Sequence, residues 1–232
     1  MSHTKPTALI VGASRGLGLA LAEEDLNRGW SIVGTVRGKT HTRLHDLKNK
    51  YEHALEIETV DIVKPDEVSA LRDRLKGRTF DLLFVNAGVA NNPDETIGNV
   101  TTEEFIRLMV TNTLSPMRVI EGLGDLVSDE GTIGVMSSGL GSVANNEDGG
   151  WEIYRGSKAA LNTLMCSYAA RHRNDQRSLI IIAPGWVRTD MGGPRASLSI
   201  EESIPRVVDT ITGQAGKRGL RFLDYRGLTV PW

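Results

Sequence analysis

The sequence is poor in cysteine and aromatic residues, and it has no long apolar run. Cys166 is the only cysteine among 232 residues, so no internal disulfide is possible, and we expect its side chain to be small, apolar and buried. No apolar run approaches the roughly 20 residues that a membrane-spanning helix needs. The first six residues are polar and lack the apolar core of a signal peptide. We therefore predict a soluble cytoplasmic protein with no membrane partner.

An excess of basic charge is also missing. The chain has 27 Lys and Arg against 29 Asp and Glu, which gives a formal net charge of −2, and aromatic residues make up only 5 %. Proteins that bind nucleic acids usually have a basic patch, often with aromatic side chains for stacking. Neither feature is present, so no nucleic-acid partner is expected. No metal site is predicted either.

What the sequence does contain is a regular alternation of strand-like and helix-like segments. Short apolar strands are predicted over residues 7–11, 31–36, 55–60, 80–85, 131–136, 179–183 and 220–224. The alternation runs through the whole chain, without a repeat or a low-complexity linker. It predicts a single α/β domain over residues 1–232, a Rossmann-type doubly wound fold with a parallel seven-stranded sheet and helices on both faces. In such sheets, ligands bind beyond the carboxyl ends of the strands.

The first predicted strand leads into a glycine-rich turn, Gly12-Ala13-Ser14-Arg15-Gly16-Leu17-Gly18. Glycines allow the backbone to approach a pyrophosphate closely, and the N-terminus of the following helix offers free N–H groups. The spacing is G-x-x-x-G-x-G rather than the more familiar G-x-G-x-x-G. This turn predicts a dinucleotide site.

The second predicted strand ends in Arg37 rather than in an acidic residue. In dinucleotide folds, an acid near this point binds the ribose hydroxyls, whereas an arginine accommodates a 2′-phosphate. Arg15 could reach the same phosphate, although either arginine could instead be a solvated surface charge. Asp61, after the third strand, could accept a hydrogen bond from an adenine amino group or serve as an ordinary turn residue. Together the two arginines predict NADPH/NADP+ as the cofactor.

Tyr154 and Lys158 are four residues apart, so on a helix their side chains share one face. A nearby ammonium group favours the ionised phenol, which predicts a lowered pKa for Tyr154 and an exchange of protons with a substrate oxygen. Ser138 would supply a second hydroxyl, although the sequence leaves Ser137 open as an alternative. Alone, this spacing is also that of an ordinary surface pair.

These motifs resemble the short-chain dehydrogenase/reductase family over essentially the whole chain. The family's glycine motif matches Gly12, Gly16 and Gly18, and its Asn-Ala-Gly motif matches residues 86–88. Its Pro-Gly-x-Val-x-Thr motif matches residues 184–189. Finer features are similar to the C-factor and sniffer-type carbonyl reductase branch, namely Ser137 to Ser142, Gly149-Gly150-Trp151, Met191-Gly192-Gly193 and Pro231-Trp232.

The resemblance implies a catalytic set of Asn112, Ser138, Tyr154 and Lys158. Tyr154 would give a proton to a carbonyl oxygen that Ser138 orients. Lys158 would bind the nicotinamide ribose and lower the pKa of Tyr154, and Asn112 would hold a water that links Lys158 to solvent. The implied cofactor-binding residues are Gly12, Ser14, Arg15, Gly16, Leu17, Gly18, Arg37, Asp61, Ile62, Asn86, Ala87, Gly88, Tyr154, Lys158, Pro184, Gly185, Val187, Thr189 and Met191.

The implied substrate pocket comprises Ser138, Gly139, Leu140, Trp151, Tyr154, Trp186 and Met191, with residues 190–213 as a lid segment. Two departures from the family pattern stand out. Val11 occupies a position where the family usually has threonine, which predicts the loss of a structural hydrogen bond to the next strand. The stretch between Ser138 and Tyr154 is also longer than usual and carries polar residues at 145–148.

The sequence therefore predicts an NADPH-dependent carbonyl reductase or alcohol dehydrogenase that acts on a small or medium ketone or aldehyde. The alternative is a dinucleotide-binding signalling or sensor protein that uses the same fold without turnover. A homodimer or homotetramer is expected, since the helix with Tyr154 offers apolar residues, Ala159, Ala160, Leu161, Leu164 and Met165, for contact with a second copy. Those residues could instead face the protomer's own sheet.

Overall fold

Short runs of β-branched and other apolar residues build one sheet of seven strands. The structure is a computed structural model that describes residues 5–232, so most of the polar N-terminal stretch lies outside the described residues. The strands are β1 (Thr7–Val11), β2 (Ser31–Val36), β3 (Leu55–Thr59), β4 (Phe80–Val85), β5 (Val127–Met136), β6 (Ser178–Ala183) and β7 (Gly219–Asp224). All pairs are parallel, in the order β3-β2-β1-β4-β5-β6-β7. The predicted fold class is confirmed.

Helices cover both faces of this sheet. They are α1 (Gly16–Asn27), α2 (Arg43–Lys50), α3 (Pro65–Arg74), α4 (Thr102–Met109), α5 (Ser115–Leu123), α6 (Glu152–Arg171) and α7 (Ile200–Thr212). Because successive strand residues point to opposite faces, Leu9 and Val11 pack in one core cluster with residues of α3, α5 and α6. Ala8 and Ile10 pack in the other with residues of α1, α2 and α7. The sheet is therefore buried between two helical layers.

A π-helical turn, Val110–Leu114, separates α4 from α5. The sequence predicts a bend caused by Pro116, and the irregularity lies just before that proline. Pro116 sits near the start of α5 and has no N–H group to bond to the carbonyl of Asn112, four residues earlier. The turn thus places Asn112 where the regular helical pattern is interrupted.

Two expectations about α6 are corrected by its packing. Cys166 is exposed rather than buried, because it lies on the outer face of the helix. Leu161 and Met165 are 1 % and 0 % exposed inside the protomer's own core, so they cannot contact a second copy. Leu164 remains at the surface.

The predicted lid over residues 190–213 overlaps α7. Ser199 caps this helix, since its hydroxyl accepts a hydrogen bond from the N–H of Glu202, and the Glu202 carboxylate in turn accepts one from the Ser199 N–H. The apolar face of α7, with Ile204, Val207 and Val208, is buried against the sheet. This packing makes the apolar face of α7 part of the core, and a lid over residues 190–213 stays a prediction.

Candidate active site

The carboxyl ends of β1 and β4 meet at the glycine-rich turn. Gly12 has φ 91°, and a Cβ atom built on it would lie 2.8 Å from the backbone of Ala87. A Cβ on Gly18 would lie 2.1 Å from the Gly12 carbonyl oxygen. The Asn86 side-chain amide donates a hydrogen bond to that same oxygen at 2.9 Å. These contacts explain why glycines are needed here and why the two motifs occur together.

The turn is bonded to the neighbouring strand through Thr35. The hydroxyl of this β2 residue accepts a hydrogen bond from the Gly12 N–H at 3.0 Å. The sequence predicts the loss of a bond to the next strand, because Val11 replaces the family's threonine. In the structure, β2 instead provides the Thr35 hydroxyl, which bonds to the glycine-rich turn. Thr35 was not identified from the sequence, since a threonine inside a strand is an ordinary β-forming residue.

The N-terminus of α1 has the character of an anion site. Within residues 5–232, the N-cap residue Arg15 makes no capping bond with its side chain, and the first turn has no acidic residue. The Arg15 guanidinium instead pairs with Asp190 at 2.8 Å, with both side chains mostly exposed. Arg37 is also exposed and has no ion pair among the residues described. Both arginines are therefore accessible to a phosphate group.

The ends of β3 and β6 supply the other predicted cofactor residues. Asp61 caps a turn, since its carboxylate accepts from the Val63 N–H at 3.3 Å. The Ile62 side chain is buried in the core, so only its backbone can face a ligand. After β6, the Pro184 carbonyl accepts from Ser203. The following segment holds Gly185, Val187, Thr189 and Met191.

The stretch from Trp186 to Leu198 is held together by its own hydrogen bonds. The Trp186 indole N–H donates to the Gly192 carbonyl at 2.8 Å, and the Gly192 N–H donates to the Thr189 hydroxyl at 3.1 Å. Trp186 and Met191 are 54 % and 45 % exposed. This leaves both side chains available at the rim of the site.

The two neighbouring serines at the end of β5 have different partners. The Ser138 hydroxyl accepts from the Leu140 N–H at 3.1 Å and lies close enough to Tyr154 to lower the pKa of its phenol. The Ser137 hydroxyl is buried and donates to the Asn162 side chain at 2.7 Å. The geometry therefore favours Ser138 as the serine that acts with Tyr154.

Lys158 and Asn112 lie next to each other behind this hydroxyl pair. The Lys158 ammonium is buried and donates to the Met136 carbonyl at 2.9 Å. A Cβ built on Gly88 would lie 3.4 Å from Lys158 Nζ and 3.3 Å from Asn112 Oδ1. The Asn112 amide bonds to both the N–H and the carbonyl of Val89, at 2.8 Å each. The structure thus brings the four predicted catalytic residues together.

The electrostatics of the pair differ from the expectation. Burial raises the pKa of Tyr154 to about 12, and the nearby Ser138 hydroxyl lowers it only in part. Burial also lowers the pKa of Lys158 to about 8. The sequence predicts a lowered tyrosine pKa from a nearby ammonium. In the structure, removal of the phenolate from water raises the pKa by more than the surrounding groups lower it. In the protein described here, Tyr154 is therefore held protonated.

An apolar wall adjoins Tyr154. Leu108, Ile153 and Tyr154 form a small buried cluster, against which Val89, Ala90, Val100, Leu140 and Trp151 pack. Leu140 and Trp151 were expected in the substrate pocket. Val89 and Ala90 were missed, although their position directly after Asn86-Ala87-Gly88 could have indicated them.

Known proteins share this chain's sequence and architecture. The family model for short chain dehydrogenase matches residues 6–198. The chain is a short-chain dehydrogenase. A Burkholderia multivorans member of the same family, solved with bound NADP, is 57 % identical, with a TM-score of 0.98 over 99 % of this chain and 100 % of its own. The carbonyl reductase Sniffer of D. melanogaster is 30 % identical, with a TM-score of 0.89 over 99 % and 100 %.

This short-chain dehydrogenase also resembles a protein named C-signal from Myxococcus xanthus. The two are 36 % identical over 154 residues, which is 66 % of this chain and 92 % of the relative. The expected resemblance to the C-factor and sniffer-type branch is confirmed. Throughout residues 5–232 of this short-chain dehydrogenase, no helix is long and apolar enough to cross a bilayer, and no three His, Cys, Asp or Glu residues are grouped as a metal site requires.

The different partners of the two serines lead to a test on this short-chain dehydrogenase. We expect Ser138→Ala to lower kcat about 10- to 100-fold, because a polar contact to the reacting oxygen is lost. Ser137→Ala is the matched control. It breaks the buried bond to Asn162 and should lower the midpoint of thermal unfolding more than it lowers kcat. Equal losses of kcat in both variants would contradict the choice of Ser138.

Proposed function

We propose that this short-chain dehydrogenase is an NADP(H)-dependent carbonyl reductase that acts on small or medium ketones and aldehydes, and on alcohols in reverse. The observation that carries the proposal is that the buried Lys158 ammonium lies 5.8 Å from the centre of the Tyr154 ring, with the Ser138 hydroxyl close enough to lower the pKa of the phenol. A hydroxyl pair of this kind can hold and protonate a carbonyl oxygen. The likeness to an NADP-bound protein and to a carbonyl reductase supports the same activity.

The residues present fit a dinucleotide with a 2′-phosphate. Side chains on Gly12 and Gly18 would collide with the neighbouring backbone, which suits a turn shaped for the close approach of a pyrophosphate. The accessible Arg15 and Arg37 suit an additional phosphate. We assign to cofactor binding the full set given in the sequence analysis, with Ile62 acting through its backbone.

The chemistry follows from the positions of the side chains. Bound NADPH supplies a hydride to the carbonyl carbon. Tyr154 gives its phenolic proton to the carbonyl oxygen, and its raised pKa keeps that proton in place at neutral pH. Ser138 orients the oxygen. Asn112, whose carbonyl lacks an α-helical donor because of Pro116, is the residue we assign to hold a water on the path from Lys158 to solvent.

The apolar wall beside Tyr154 points to substrates with an apolar group next to the carbonyl. Trp151 contacts the Tyr154 ring, and Leu140, Val89 and Ala90 pack against the cluster that contains Tyr154. We further propose one domain over residues 1–232, and assembly as a homodimer or homotetramer through the exposed face of α6 with Ala159, Ala160 and Leu164. A cytoplasmic location stays a prediction.

A sensor without turnover is the second candidate, favoured by the likeness to C-signal. Such a protein would need to bind a dinucleotide but would not need a buried, protonated phenol next to a serine and a lysine. Measuring NADPH consumption with a panel of apolar ketones and aldehydes separates the two. We expect carbonyl-dependent oxidation of NADPH in preference to NADH. Binding of NADPH with no turnover on any carbonyl would favour the sensor.

The cofactor preference is tested by Arg37→Asp. A charge-assisted bond to a phosphate contributes roughly 1.5–3 kcal/mol, so the ratio of kcat/KM for NADPH over NADH should fall about tenfold or more. Arg173→Asp is the matched control, since it makes the same charge change on an exposed arginine after α6. A ratio that stays at the wild-type value in Arg37→Asp would remove this residue from the phosphate site.

A further inference from the structure

The residue directly before α6 has an unusual backbone conformation. Trp151 has φ 53° and ψ 32°, and it is the only non-glycine residue between 5 and 232 with a positive φ. Gly149 and Gly150 precede it with φ 66° and 67°, so three consecutive residues are left-handed. Bulky residues rarely adopt this conformation, and it persists only where the surroundings hold it. The contacts around Trp151 must therefore supply that constraint.

The constraint comes from Arg155, one turn into α6. Its Nε donates to the Gly150 carbonyl at 2.8 Å, and its Nη2 donates to the Gly149 carbonyl at 2.9 Å. A guanidinium is planar, so two such bonds fix both peptide groups relative to the helix. The Trp151 N–H also donates to the Pro93 carbonyl, at 3.2 Å. Arg155 thus binds the two peptide groups that lead into Trp151.

The held conformation puts the Trp151 indole against Tyr154. The two rings meet edge to face, with centroids 5.8 Å apart and planes at 65°. Aromatic pairs favour this arrangement at this separation. Tyr154 is therefore contacted on its ring by the indole. This contact limits how the phenol can turn.

We propose that Arg155 is a positioning residue, which keeps Trp151 left-handed through the Gly149 and Gly150 carbonyls so that the indole fixes the orientation of the Tyr154 ring. Arg155 itself need not touch the substrate or the cofactor. The inference rests on the proposed function of Tyr154 as proton donor. It adds the residue pair 151 and 155 to the groups that determine the rate.

A double-mutant cycle tests whether Arg155 acts through the indole. Without Arg155, the left-handed conformation of Trp151 is disfavoured by a factor of roughly 5–30 over the ordinary backbone conformations. Arg155→Ala should therefore lower kcat by about tenfold, with the Kd for NADPH within about twofold of wild type. Trp151→Asn removes the indole but keeps a residue that tolerates this backbone. In the Trp151→Asn background, Arg155→Ala should change kcat less than about twofold. Equal losses in both backgrounds would overturn the proposal.

Two further variants separate positioning from general stability. Arg155→Lys keeps a cation that can donate to one carbonyl, so it should recover part of the lost kcat. Arg171→Ala, on the same helix, removes the ion pair with Glu121 and should leave kcat unchanged at a similar cost in thermal stability. If Arg171→Ala lowers kcat as much as Arg155→Ala does, the effect is one of helix stability and the proposal is wrong.

A readout that needs no turnover distinguishes this inference from the proposed function. Crystal structures of the wild type and of Arg155→Ala should differ at residue 151, with φ positive in the wild type and negative in the variant. If the wild type reduces no carbonyl compound, the proposed function fails while this structural comparison still stands. An unchanged φ and an unchanged ring contact in Arg155→Ala would overturn the positioning role, whatever the activity.

Discussion

Tyr154→Phe should lower kcat for carbonyl reduction by a factor on the order of 10²–10⁴, the usual contribution of a general acid, while NADPH binds with nearly unchanged affinity. In the proposed mechanism the hydroxyl gives its proton to the reacting oxygen, and burial keeps that proton on the phenol until then. Its loss removes the proton donor but neither Lys158 nor the glycine-rich turn. Steady-state rates and a fluorescence titration with NADPH measure the two quantities separately.

Tyr168→Phe is the matched control for that variant. Tyr168 lies on the same helix, is 3 % exposed and stacks on His172 with ring centroids 4.2 Å apart, so the substitution removes a buried hydroxyl far from Ser138. Its kcat should stay within about twofold of wild type. A Tyr154→Phe enzyme that reduced carbonyls at a near-normal rate would refute the mechanism and bring the sensor hypothesis forward.

Lys158→Met should weaken NADPH binding and at the same time stabilise the protein at neutral pH. A hydrogen bond from a charged group contributes roughly 1.5–3 kcal/mol, so the Kd for NADPH should rise about tenfold or more if Lys158 binds the ribose. The stabilisation has a different cause. Burial lowers the pKa of this ammonium from 10.5 to about 8, so at pH 7 the folded protein carries a charge that would be better solvated in the unfolded chain.

The pH dependence of the Lys158 effect has a definite sign. Between about pH 8 and 10.5, the unfolded protein binds more protons at this lysine than the folded protein does, so wild-type stability gains from this group as pH rises. The gain over the whole interval is up to about 3 kcal/mol. The advantage of Lys158→Met should therefore be largest at pH 7 and shrink by pH 10. Urea unfolding at both pH values measures it, with the exposed Lys50→Met as control; an advantage that grew with pH would contradict it.

The parts of the fold that follow from local pattern were predictable. β1, β2 and β4 have the predicted bounds, because each is a mostly apolar segment that is followed directly by a glycine, an arginine or an asparagine. β5 begins at Val127, four residues before the predicted Gly131. Val127 pairs with Phe80, and the register then shifts before the next pair. Because polar residues follow Val127, no apolar pattern marks the start of β5. α2 is mostly polar, with only Leu44 and Leu47 buried, and it was not predicted.

The chemistry of the site was predictable only as far as residue type and order carry it. Tyr154, Lys158 and Asn112 could be named from spacing and resemblance. The choice between Ser137 and Ser138 needed the surroundings of the two hydroxyls, since Ser137 is buried and donates to Asn162, whereas Ser138 lies close enough to Tyr154 to lower the pKa of its phenol. The direction of the Tyr154 pKa shift depends on burial, which no local sequence pattern reports. Thr35 and the left-handed Trp151 are likewise products of tertiary contact.

The π-helical turn at Val110–Leu114 rotates the side chains of α5 around the helix axis relative to those of α4. A π turn accommodates one residue more than a regular turn, and one residue corresponds to a rotation of about 100° around a helix axis. Upstream of it, Leu108 faces the Tyr154 cluster, and downstream, Met117 and Ile120 face the central sheet core. Removing one residue from this turn would restore a uniform helix. Leu108 could then no longer contact the Tyr154 cluster while Met117 and Ile120 contact the sheet core. The segment from α4 to α5 can contact both Tyr154 and the sheet only because it has one residue more than a regular helix would have.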